Sequence, residues 1–202
     1  MPFATDTEWP QGLLRIFNAS RNAGRKQDLK HESRYYGPYD RLFNYAIVEG
    51  AFNLFLAPQT IADEESPNDV ADSLVFLVVF DDQQKPVLIV EIKDDAWVDL
   101  PLKRQKADAQ IRHRFEQMLL DCPIPRLYGL SLLGTSLRVY CTEKDTGTIT
   151  PLFVDRPDVD RTLPRDFLEG QWDIDILSQE GFNKMQEIVA YIKAEVDKVR
   201  VK

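Results

Sequence analysis

The sequence predicts an α/β domain in which a mixed sheet lies between helices, and three observations carry that expectation. Two apolar runs, Leu74 to Phe80 and Val87 to Val90, have the length and β-branched content of buried strands. Two longer segments, about Leu100 to Leu120 and Ser178 to Val199, repeat apolar residues at helical spacing. Shorter strand-like runs follow the first of them. The order is thus helix, three strands, helix, further strands and a terminal helix.

At the N-terminus, Trp9 to Phe17 is a short amphipathic helix (9–17), and the polar, basic run that follows it through Lys30 reads as loop. Tyr35-Tyr36-Gly37-Pro38 reads as a turn, with Pro38 opening a helix from about Tyr39 to Gly50. Glu49 stands at the edge of that helix's apolar face. Phe52 to Leu56 is a short strand closed by Pro58, and residues 59–71 are an acidic loop. The two apolar strands then join through Asp81-Asp82-Gln83-Gln84-Lys85-Pro86, a hairpin connection. The long middle helix, about Leu100 to Leu120, follows the Asp94-Asp95 and Pro101 punctuation. Arg126 to Leu132, Leu137 to Cys141 and Thr148 to Val154 are three more strands, parted by turns at Gly134-Thr135 and Thr146-Gly147. On the last helix (178–199), Phe182, Met185, Ile188, Val189, Ile192 and Val196 share one face, which should pack on the core.

Length and composition fit a single domain over 1–202, with a core of about 35–155 and the terminal helices added to it. Of the 202 residues, 44% are hydrophobic, which suits a folded chain with a sizeable core. No run approaches the roughly 18 apolar residues of a membrane span, so no membrane partner is expected. The first residues lack the basic and apolar regions of a secretory signal, and an intracellular protein of cytoplasm or nucleus is expected. Cys122 and Cys141 form no CxxC pair and should be free thiols. Two histidines, His31 and His113, are too few and too far apart for a zinc site. The net charge of −8 opposes broad nucleic-acid binding but allows a local basic groove. Lys103, Arg104, Lys106, Arg112 and Arg114 supply one candidate.

The chemistry-bearing cluster begins at Glu91 and Lys93. Residues two apart on a strand share a face, so both project to one side at the strand's end. Asp72 precedes the partner strand and comes close to Glu91 if the hairpin forms. Hard carboxylate oxygens bind magnesium, which neutralises phosphate charge and activates water. On the following helix, Lys103, Gln110 and Arg114 fall along one margin of the apolar stripe and point toward the same place. The simpler readings are a solvated Glu-Lys strand end and side chains snorkelling at a core boundary. Asp94 and Asp95 are either extra ligands or a solvated turn, and Trp97 either stacks on a base or belongs to the core rim.

Taken together, an Asp before one strand, Glu91-Ile92-Lys93 ending the next, and Ala107-Asp108-Ala109-Gln110-Ile111-Arg112 on the helix resemble the PD-(D/E)XK nuclease superfamily. With Tyr35-Tyr36-Gly37-Pro38-Tyr39 and Tyr128 to Thr135, the pattern is similar to a fungal group assigned to that superfamily. The resemblance implies a restriction-endonuclease-like αβββαβ core. It also implies Mg²⁺ or Mn²⁺ on Asp72, Glu91 and the Ile92 carbonyl, with Lys93 as catalytic lysine. Glu49 would be the first-helix acidic residue and Gln110 the supporting polar residue. Two departures stand out: Val70-Ala71 replaces the expected proline before Asp72, with Asp69 as an alternative aspartate, and Arg114 stands where a tyrosine is usual.

The expectation is therefore a metal-dependent nuclease acting on DNA or RNA, with Lys103 and Arg114 on backbone phosphates. Its rivals are a catalytically inactive module of the same fold, and a scaffold assembling through the C-terminal helix. A homodimer is compatible with all three.

Overall fold

The computed structural model describes residues 2–27, 32–48, 53–61, 74–156, 158 and 161–200. It is an α/β fold with an open, mixed central sheet flanked by helices. The helices preceding the sheet are α1 (Pro2–Thr5), α2 (Gln11–Gln27) and α3 (Ser33–Phe43), the last running into a π-helical turn, Asn44–Val48. Strands β1 (Leu54–Ile61), β2 (Leu74–Asp81) and β3 (Pro86–Lys93) form an antiparallel meander. Helix α4 (Pro101–Met118) then crosses over to β4 (Arg126–Leu133), which runs parallel to β3. β5 (Ser136–Glu143) pairs antiparallel with β4, and two-residue strands β6 (Ile149–Thr150) and β7 (Ile174–Asp175) both pair with β5. Helix α5 (Gln179–Arg200) ends the chain.

All eight residues of β3 are buried, as suits a central strand with one parallel neighbour. Burying each of its Val, Leu and Ile side chains contributes about 1.5–3 kcal/mol. The face that meets α4 is fixed at Gly129, where an added Cβ would lie 2.7 Å from Phe115 and 3.3 Å from Ile111, both on α4. Gly129 pairs with Ile89, and Ser131 with Glu91, so Ile89, Glu91 and Lys93 face α4. The opposite face holds Leu88, Val90 and Ile92. There Tyr128 of β4 packs edge-on against Tyr191 of α5, with ring centroids 5.6 Å apart. An aromatic cluster of Phe3, Trp9, Tyr45 and Phe182 joins the N-terminal segment to α5.

Several expected boundaries move. α2 extends to Gln27 through the run expected as loop. α3 starts at Ser33 and carries Gly37 and Pro38 inside it, not in a turn. Tyr35, Pro38, Tyr39 and Leu42 form its buried stripe, and tertiary packing overrides the local turn preference. β1 runs through Pro58 to Ile61, because an edge strand tolerates a residue without an N–H. The expected strand from Thr148 to Val154 is only Ile149–Thr150, and Leu152, Phe153 and Val154 are exposed. α4 stops at Met118, followed by a 3₁₀ turn, Leu119–Asp121. α5 matches its expected span to within a residue. Among the described residues, no helix is long and apolar enough to cross a membrane.

Candidate functional site

A single rung across the sheet organises the polar chemistry beneath α4. β3 and β4 place Glu91 beside Ser131, and β4 and β5 place Ser131 beside Arg138. On the other side, the β2 ladder ends at Leu77 beside Val90, and Phe76 lies under the Arg114 guanidinium. From β3 to β5 the rung reads Glu91, Ser131, Arg138, all buried.

Two charged clusters grow from this rung, and they differ in one respect. At the Arg138 end, Asp108 of α4 accepts from Arg112 Nε at 2.8 Å, Arg138 at 3.0 Å and the Tyr140 hydroxyl at 2.8 Å. A second Arg112 nitrogen reaches it at 3.2 Å and also donates to the Pro151 carbonyl at 2.7 Å. Trp172 Nε1 donates to Ser131 at 3.1 Å. Burial and the Asp108 carboxylate together push the Tyr140 hydroxyl far above its ordinary pKa. Each ionised group in this cluster has an oriented partner, as buried charge requires.

At the Glu91 end the partners are close but not oriented. Glu91 is fully buried, with Lys93 Nζ 3.1 Å from one oxygen and Arg114 Nε 3.6 Å from the other. Neither oxygen accepts a hydrogen bond, and neither nitrogen makes one in a good geometry. The buried Gln110 Oε1 is likewise without a donor. Arg114 lies over the Phe76 ring, 4.3 Å from its centroid. Lys93 also sits 5.3 Å from the Trp97 ring, and the exposed Lys103 lies over the same ring at 4.6 Å.

The end of β3 is closed by the start of α3. Glu32 Oε1 comes to 3.9 Å from Lys93 Nζ and accepts from the Tyr36 hydroxyl at 3.1 Å. Arg34 spans Asp94, at 2.9 Å, and Asp95. Burial works to lower the Arg34 pKa, but the carboxylates of Asp95 and Asp94 outweigh it and the net shift is upward. Burial, with help from Asp95, pushes the Tyr35 hydroxyl up to about 12. Gly134, at φ +63, packs against Asp95, and the Tyr39 hydroxyl donates to its carbonyl at 2.6 Å. Asp94 Oδ1 accepts from the Ala96 amide at 2.9 Å, so Asp94 and Asp95 are a structured turn bound by Arg34.

The expected site residues are placed as follows. Glu91, Lys93, Gln110 and Arg114 lie in one cluster with Lys103 at its rim. Ile92 is buried, its side chain on the opposite face of the sheet. Asp72, Asp69 and Glu49 lie outside the described residues. The expected basic groove on α4 is corrected: Arg104, Arg112 and Arg114 are 3%, 9% and 3% exposed and bound internally. Arg104 donates to the carbonyls of Val98, Arg165 and Phe167, tying that loop to α4.

In this cluster the described residues supply one buried carboxylate, Glu91, already ion-paired with Lys93 and Arg114, so by themselves they do not make a cation site. Among the described residues no group of three or more His, Cys, Asp or Glu stands together as a ligand set. Glu32, Arg34 and Phe76 escaped the sequence reading. The first two sit in what reads locally as loop, and an apolar residue in an apolar strand gives no signal. No family model, curated protein or solved structure matches the chain.

Proposed function

We propose that the chain is a divalent-metal-dependent phosphodiesterase acting on DNA or RNA, built on the αβββαβ core of the PD-(D/E)XK nucleases. One observation carries this reading: Glu91, Lys93 and Arg114 are buried together with polar atoms unclaimed, as is the Oε1 of the half-buried Gln110, whereas Asp108 on the same helix is fully bonded. A purely structural ion cluster gains from oriented bonds, so unclaimed groups point to an external partner. Glu91, with Asp72, would hold Mg²⁺ or Mn²⁺, which supplies charge neutralisation and an acidified water. Lys93, 3.1 Å from Glu91, would orient the attacking water through its ammonium donors, and would accept a proton only as the neutral amine. Lys103, exposed at the rim, meets the backbone phosphate. Arg114, 3.6 Å from the second Glu91 oxygen, would offset its charge.

The test is cleavage of end-labelled single- and double-stranded DNA and RNA with Mg²⁺ or Mn²⁺. Glu91→Gln and Lys93→Met should each lower the rate at least about 100-fold while the far-ultraviolet circular dichroism is unchanged. Metal-dependent cleavage that survives both substitutions would sink the assignment.

A second reading is favoured by Phe76. The Phe76 ring lies under Arg114, and Lys93 and Arg114 already neutralise the Glu91 carboxylate. On this reading the fold is a binding module that retains nucleic acid without metal and cleaves none. Metal-independent binding without cleavage would select it.

A further inference from the structure

We propose that Glu32 is an autoinhibitory carboxylate, which covers Lys93 until a nucleic-acid phosphate displaces it. The inference rests on the reading of this site as one that meets phosphate, which both functions above share. Glu91 is 0% exposed and Lys93 1%, so an external ligand reaches them only after a neighbouring group moves.

Most of the surroundings are fixed. On the α4 side, Ile111 and Phe115 close on Gly129 with no room for a Cβ. On another side, Trp97 belongs to an apolar cluster with Leu133, Phe167 and Trp172. Arg104 binds the carbonyls of Val98, Arg165 and Phe167 and fastens that side.

Glu32 is the exception. Its side chain is 20% exposed against 1% for Lys93, so it stands between the ammonium and solvent. Its Oε1 lies 3.9 Å from Lys93 Nζ, too far for a hydrogen bond, and Nζ makes none. Such a contact is weak and screened by salt. The Tyr36 hydroxyl donates to the same oxygen at 3.1 Å, a bond within its own turn of chain. Arg34, on Asp94 and Asp95, keeps the backbone in place, so displacement asks only the side chain to move. Across the opening, Lys103 lies over the half-buried Trp97 ring that Lys93 also meets. A phosphate that replaces Glu32 therefore meets two ammoniums and exchanges one anion for another. A phosphate added beside Glu32 would face like charge.

The experiment is fluorescence anisotropy of a labelled single-stranded oligonucleotide, without metal and with chelator present. It compares the full chain with Glu32→Gln, Glu187→Gln and Glu32→Gln/Lys93→Met, each checked by circular dichroism. Glu187→Gln makes the same change in net charge and likewise releases a lysine, Lys184, on the exposed side of α5. Glu32→Gln should bind at least about fivefold tighter, and its plot of log affinity against log salt should steepen by about 0.7, one added phosphate contact. The slope needs no Lys93 variant. The gain should be absent in Glu187→Gln and vanish in the double variant. An equal gain in Glu187→Gln, or one that survives Lys93→Met, would mean general charge attraction and overturn the proposal. Binding or cleavage by the parent that Glu32→Gln leaves unchanged overturns the role of Glu32 alone. If neither protein binds, that role and the nucleic-acid reading fall together. A tighter-binding Glu32→Gln that cleaves nothing keeps the role of Glu32 and removes the nuclease.

Discussion

Replacing Asp108 with Asn tests whether the Arg138 end of the rung is a structural lock. Asp108 is 2% exposed and faces two guanidiniums, Arg112 and Arg138, with Tyr140 as a third donor. Asn keeps the volume but removes the charge, and its amide NH₂ must face N–H donors. Breaking one buried ion pair this way costs about 3–5 kcal/mol, because a charge is left buried without its partner. Two cations lose their anion here, yet the cost is not doubled. Arg112 keeps the Pro151 carbonyl at 2.7 Å, and Arg138 keeps the faces of Tyr140 and Trp172 at 5.0 and 5.3 Å. A loss of about 3–5 kcal/mol should lower the melting temperature by about 6–20 °C in a domain of this size. Urea unfolding at pH 7, with calorimetry alongside, measures both. A loss below about 1 kcal/mol at unchanged m-value would refute the assignment of Asp108 as the partner of both arginines. Mn²⁺ binding, in contrast, should not change.

Three further outcomes are expected. Gly129→Ala places a methyl 2.7–2.8 Å from the Phe115 ring, and such overpacking should destabilise by about 1–3 kcal/mol in urea unfolding, with Phe115→Leu restoring part of it. Burial pushes the Cys122 thiol up to about 11, so its folded pKa is raised and its share of stability is present below the unfolded value near 9 and lost as pH rises. Cys122→Ala removes that share, and the stability gap between variant and parent should narrow from pH 9 toward pH 11. A gap that stays constant would show that the thiol ionises equally in both states. Arg104→Ala breaks bonds of 2.6, 2.7 and 2.9 Å to three carbonyls, so limited proteolysis within 161–170 should accelerate, while unchanged cleavage would mean the loop holds itself.

The parts of the fold legible in the sequence were those whose local pattern agrees with their burial. β3 is an unbroken apolar run up to Glu91, and α5 keeps its stripe from Phe182 to Val196, so period and packing agree. α3 and β1 were read short because Pro38 and Pro58 are breakers by local rule. One is tolerated inside a helix whose tyrosines are buried, the other on a sheet edge. The site was half legible. Glu91, Lys93, Gln110 and Arg114 converge as helix and strand periodicity require. The burial of Arg104 and Arg112 could not be read, because their partners are carbonyls and carboxylates fixed by tertiary structure. A guanidinium on a helix reads as solvated until Arg165, Phe167 and Pro151 are folded against it. Glu32 was hidden for the same reason, since its relation to Lys93 spans the whole meander.

The bond from Trp9 Nε1 to the Ile176 carbonyl, 2.7 Å long, has a consequence for synthesis on the ribosome. Phe3 packs edge-on against Phe182, and Gln186 binds the backbone of Phe3 and Asp6. Trp9, Phe3 and Asp6 thus find their partners 167, 183 and 180 positions further along the chain. The meander and α4 can assemble earlier, but the N-terminal aromatics stay exposed until α5 clears the exit tunnel. Across the 167 positions from Trp9 to Ile176, made at about 5–20 residues per second, that interval lasts on the order of ten seconds or more. During it, Phe3 and Trp9 are free to meet a chaperone or a neighbouring nascent chain.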